Sequence, residues 1–93
     1  MAGPSDPVGS AQALFAELRR RGLVRVYGAV HAKVSVLSLP GGVTVWCWGG
    51  AFTWRGRDGR EVVWAAGDPV GAASRLLAEV ASAEVEVGRA VAA

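Results

Sequence analysis

Residues 43–65 read Val43-Thr44-Val45-Trp46-Cys47-Trp48-Gly49-Gly50-Ala51-Phe52-Thr53-Trp54-Arg55-Gly56-Arg57-Asp58-Gly59-Arg60-Glu61-Val62-Val63-Trp64-Ala65. Runs of β-branched and aromatic residues alternate with glycine-bearing breaks, the rhythm of an antiparallel meander. Gly49-Gly50 can supply the positive φ of a two-residue hairpin turn, and Asp58-Gly59 is the strongest hairpin signal in the chain. The expected strands are therefore Val43–Trp48, Ala51–Arg55 and Glu61–Ala65.

Upstream, the period from Leu23 to Leu39 is again two: Val24, Val26, Val30, Ala32, Val34 and Val36 share one parity, and Arg25, Tyr27, His31, Lys33 and Ser35 the other. This run is too long for an ordinary strand, so a break near Gly28 is expected, and Pro40-Gly41-Gly42 then turns the chain into Val43. Before it, Ser10 caps a helix from Ala11 to Arg21 whose stripe is Ala11, Leu14, Phe15 and Leu18, with Gly22 as the stop. After the meander, Asp68-Pro69 opens a second helix with Val70, Ala73, Leu77, Val80 and Ala81 on its apolar stripe and Leu76 at the flank. Glu84-Val85-Glu86-Val87 alternates, and Gly88 is expected to end the element. The fold class is α+β: an N-terminal helix, a four-stranded meander sheet (five if the first run breaks), and a C-terminal helix, with both helices on one face. The domain spans 10–88, behind a loose leader over 1–9 and ahead of a loose tail over 89–93.

Turn positions assign faces, because residues opposed across an antiparallel pair share a side. Two-residue turns at Gly41-Gly42, Gly49-Gly50 and Asp58-Gly59 collect Val34, Val36, Val45, Cys47, Phe52, Trp54 and Val63 on the helix side. The other side then carries Leu37, Leu39, Trp46, Trp48, Arg55, Val62 and Trp64. An antiparallel sheet with one solvated side would be polar there. Three Trp on one uncovered face read instead as a contact surface, and Trp and Arg are residues in which binding energy concentrates. A homodimer, sheet on sheet, is the first expectation, and a heteromeric protein partner the second.

Composition narrows the remaining classes. The 93 residues are 52% hydrophobic, which suits one folded domain and excludes a disordered tail. One cysteine, Cys47, rules out an internal disulfide and any multi-cysteine metal site, and it reads as a small buried hydrophobe. His31, the only histidine, falls on the opposite face from Cys47, so no Cys/His catalytic pair is expected. The glycine pairs join strand to strand with no following helix, so they make no phosphate loop. No catalytic residue, cofactor or metal is expected, and no membrane span or signal peptide. Nucleic acid is the alternative partner. Arg55, Arg57 and Arg60 cluster at one hairpin, Arg19, Arg20 and Arg21 at a helix end, and exposed rings among Arg suit single-strand stacking. Against it, the net charge is only +2.

Taken together, Leu37-Ser38-Leu39-Pro40, Thr44-Val45-Trp46, Phe52-Thr53-Trp54, Trp64 and Asp68-Pro69-Val70-Gly71-Ala72-Ala73-Ser74-Arg75-Leu76 resemble a set of small actinobacterial proteins of uncharacterised function. The likeness runs from about Leu23 to Ala78. It implies a bacterial cytoplasmic protein and brings no catalytic residues with it. The abundance of Ala, Val and Gly, and of Arg over Lys, agrees with a high-GC source.

Overall fold

The computed structural model describes residues 7–30, 33–56 and 58–92, the last nine of them as backbone only. The order is α1 (Pro7–Arg20), β1 (Tyr27–Ala29), β2 (Ser35–Ser38), β3 (Thr44–Trp48), β4 (Ala51–Arg55), β5 (Glu61–Ala65) and α2 (Pro69–Ala92). The five strands form one antiparallel sheet in sequence order. The expected α+β meander between two helices is therefore present, with the fifth strand realised. No described helix is long and apolar enough to cross a membrane.

The first long run does break near Gly28, as expected: β1 ends at Ala29, with Gly28 as its middle residue. Other boundaries differ from expectation. Helix α1 starts at Pro7, because proline is preset for a first helical position; Ser10 is then inside the helix and buried rather than capping it. Of the expected leader, residues 1–6 lie outside the described residues. At the other end α2 passes through Gly88 to Ala92. One glycine costs a helix about 1 kcal/mol, too little to stop it between Ala- and Val-rich turns. The expected tail therefore belongs to α2, apart from Ala93, which lies outside the described residues.

Where α1 ends, the carbonyls of its last turn are met by a left-handed glycine. Gly22 (φ +97°) donates to the Arg19 carbonyl at 3.0 Å, and Leu23 to that of Leu18 at 3.0 Å. Leu23 then packs back on the core. At the start of α2, the Asp68 carboxylate accepts from the Gly71 N–H at 3.0 Å and from Trp64 Nε1 at 3.1 Å. A Cβ on Gly71 would collide with that carboxylate, so the tight junction of β5 and α2 requires glycine there.

Both helices pack on one side of the sheet. Helix α1 lies over β2 and β3, while α2 packs on α1, β5 and the turn at Pro40–Gly42. Ala11, Leu14 and Leu18 of α1 join Ala72, Ala73, Leu76 and Val80 of α2 in the core. The α2 stripe is thus rotated from expectation: Leu76 is fully buried, Leu77 is half-buried, and Val70 and Ala81 are exposed. Small Ala72 and Ala73 face the core and let the helix approach closely. From the sheet come Leu37, Leu39, Val43, Val45, Cys47, Phe52 and Trp54, with Val62 and Trp64 packed beside them.

Two hairpins depart from the expected register. Gly49 and Gly50, both at positive φ, make the two-residue turn, and Trp46, Cys47 and Trp48 pair with Thr53, Phe52 and Ala51 as the sequence predicts. The turn before β3 holds three residues, Pro40–Gly42, closed by Leu39 N–H to the Val43 carbonyl at 2.8 Å. Between β4 and β5, Gly56 N–H donates to the Arg60 carbonyl at 2.8 Å across residues 57–59. Gly59 (φ +83°) supplies the left-handed residue that three-residue hairpin loops need. Each extra residue moves the outlying strand by one and reverses its faces. Val36 now opposes Trp46, Leu37 opposes Val45, Phe52 opposes Trp64 and Trp54 opposes Val62.

Candidate interaction surface

The reversals redraw both sides of the sheet. Leu37 and Leu39, expected on the open face, are buried in the core. Val62 and Trp64, also expected there, are half-buried on the helix side. Trp64 lies against Trp54 with ring centroids 6.2 Å apart and planes 26° from parallel. Conversely, Val36 and Val63, expected inside, point outward, and Val63 is 63% exposed. Trp46, Trp48 and Arg55 stand where the sequence puts them, because the β3–β4 turn is the one read correctly.

The open face is ordered in rows. Ala29, Val36, Trp46, Thr53 and Val63 oppose one another in turn across all five strands, with Trp46 on the middle strand. A parallel row holds Trp48, Ala51 and Ala65. On the other side of the central row are Tyr27, Ser38 and Thr44, and the opposed pair Arg55 and Glu61. Trp46 is 48% exposed, Trp48 55% and Tyr27 71%. Thr44, Trp46, Thr53, Arg55 and Glu61 border a depression of about 240 Å³. Arg55 and Glu61 are the only charged residues that the described strands place on this face, and their signs cancel. Thr44 and Thr53 also stand on the face that the two-residue turns assign them, whereas Tyr27, Val36, Glu61 and Val63 are members that turn-based register missed. The exposed ring of Tyr27 and the wholly apolar Val62-Val63 pair were the available signals.

The arginine clusters are engaged within the fold. Arg20 Nη2 lies 2.7 Å and Arg21 Nε 3.0 Å from Glu17 Oε1. The Arg20 hydrogen bond, then that of Arg21, holds the Glu17 carboxyl down at about 2. The Arg19 guanidinium sits 5.6 Å from the Phe15 ring centroid. Arg55 Nη1 donates to the Gly59 carbonyl at 2.7 Å, tying it to its own hairpin. Arg60 Nε is 3.8 Å from Asp58 Oδ2, both side chains largely exposed. Arg57 and His31 lie outside the described residues. Cys47 is fully buried, and desolvation lifts its thiol to about 11, so it is protonated and shielded at neutral pH.

No family model, curated protein or solved structure matches this chain.

Proposed function

We propose that this chain is a non-catalytic interaction module that self-associates through the open face of its sheet. The observation that carries the reading is the row Ala29–Val36–Trp46–Thr53–Val63, an apolar band across a face that neither helix covers. Its charge favours a second copy over a polyanion, since Arg55 and Glu61 cancel and leave no positive field. Its symmetry does so too. With Trp46 on the central strand, a two-fold axis along β3 stacks the ring on its own copy and sets each edge strand over the other.

Strand spacing and length give the face about 20 by 17 Å, roughly 340 Å² a side and below the usual size of a stable interface, so the dimer is expected to be weak and concentration-dependent rather than obligate. The lone buried Cys47 fits a reducing compartment, the cytoplasm in this reading.

Sedimentation of wild type over a wide concentration range should show a monomer–dimer equilibrium, and Trp46→Glu should remain folded and monomeric throughout. A wild type that stays monomeric at the highest concentrations, or a Trp46→Glu protein that dimerises as before, overturns the proposal. Oligonucleotide binding lost with Trp46→Glu would turn the face over to nucleic acid.

A further inference from the structure

The helix side of the sheet is not covered to its edge. Helix α1 lies over β2 and β3, and among the described residues β1 beyond them pairs only with β2. Between α1 and β1 runs a groove of about 370 Å³. Ala11 and Phe15 form its helix wall, Val26 and Val30 its strand wall, and Leu37 its floor. Gly28 keeps that floor open: a Cβ there would stand 3.2 Å from Leu37 Cδ2.

We propose that this groove accepts an extended peptide segment, apolar at alternate positions and acidic between them, added to the sheet beside β1 as a sixth strand. An edge strand offers a row of backbone donors and acceptors with no partner strand, and a groove between that edge and a helix takes every second side chain of an added strand. Backbone pairing would supply affinity and the apolar groove would select the residues pointing inward.

Charge defines the rest of the occupant. From Leu18 to Arg57 the sequence contains no Asp or Glu; Arg19, Arg20, Arg21 and Arg25 precede β1 along the chain and Lys33 follows it, and the Arg19 guanidinium stands over the Phe15 ring of the groove's helix wall. Glu17, the nearest acid before that stretch, is shared between Arg20 and Arg21. An acidic strand is therefore attracted, and a second copy pairing β1 to β1 would set like charges together. The groove opens on the opposite side of the sheet from Trp46, with Tyr27 of β1 at the border between the two.

The test titrates the isotope-labelled protein with an eight-residue peptide alternating glutamate and valine, with a lysine–valine peptide and oligothymidine as competitors. Amide shifts confined to Val26–Val30 and the Ala11–Phe15 wall, weakened by salt, are the expected result. Val30→Glu, at a site already 44% exposed, should weaken the glutamate peptide at least tenfold and favour the lysine one. Gly28→Leu, filling the groove, should lower affinity for both. Trp46→Glu should bind the glutamate peptide as wild type does, whether or not the dimer exists. No shifts at millimolar peptide, shifts centred on Trp46 and Trp48, equal binding of the lysine peptide, or oligothymidine displacing the peptide would each overturn the proposal.

Discussion

Glu17 stands one turn before the end of α1 and holds two of the three consecutive arginines there. Its ordinary value of 4.5 is lowered to about 2 by the Arg20 and Arg21 hydrogen bonds. A carboxylate depressed in the fold stabilises it above its unfolded value, and that contribution is lost as pH falls from about 4.5 toward 2. Urea midpoints measured between pH 5 and pH 2 should therefore fall more steeply for wild type than for Glu17→Gln. Equal slopes would show that the carboxylate is not held this way. The tryptophans divide at the same scale. Trp54 and Trp64 are stacked on the helix side, with Trp64 Nε1 bonded to Asp68, whereas Trp46 and Trp48 face outward. The indole donor of Trp54 is buried with no acceptor among the described residues, which costs about 1–3 kcal/mol and is offset by the packing of the ring.

Among the elements, the hairpins determine which residues are seen. Alternation in Thr44–Trp48 and Ala51–Arg55 is clear, and a Gly-Gly turn has one obvious length, so Trp46, Trp48, Phe52 and Trp54 were legible. Ser35-Val36-Leu37-Ser38-Leu39 and Glu61-Val62-Val63-Trp64 can bury either parity, so their faces hang on loop length alone. Proline at 40 begins its turn one residue early, and Gly59 closes its loop from the left-handed position. Packing adds a second constraint at the first loop. Gly41 and Gly42 both have φ +79°, but a Cβ on Gly41 would stand 2.7 Å from the Ala83 Cβ of α2, while Gly42 faces open space. Gly42→Ala should cost about 1 kcal/mol, the left-handed penalty alone. Gly41→Ala should cost about 1–3 kcal/mol more, from overpacking against the helix. Chemical denaturation of both, and of Gly41→Ala combined with Ala83→Gly, checks this; the double variant should recover most of the difference.

For the whole molecule, the consequence of one-sided helix packing is a sheet with two different surfaces. Iodide should quench wild-type tryptophan emission in two components at low concentration, an accessible one from Trp46 and Trp48 and a shielded one from Trp54 and Trp64. Under the proposed self-association the accessible component should shrink as concentration rises, and in Trp46→Glu what remains of it should not respond to concentration. The amino-acid order by itself determined the element sequence, the antiparallel meander and the existence of an apolar surplus beyond one face. Those follow from local periodicity, turn chemistry and capping, which act over a few residues. Which residues form that surplus was decided only by the tertiary structure. A single added loop residue reverses a strand, and the choice is made by long-range packing: Leu37, Leu39, Val62 and Trp64 are taken by the helices, while Val36 and Val63 are left outside with Trp46.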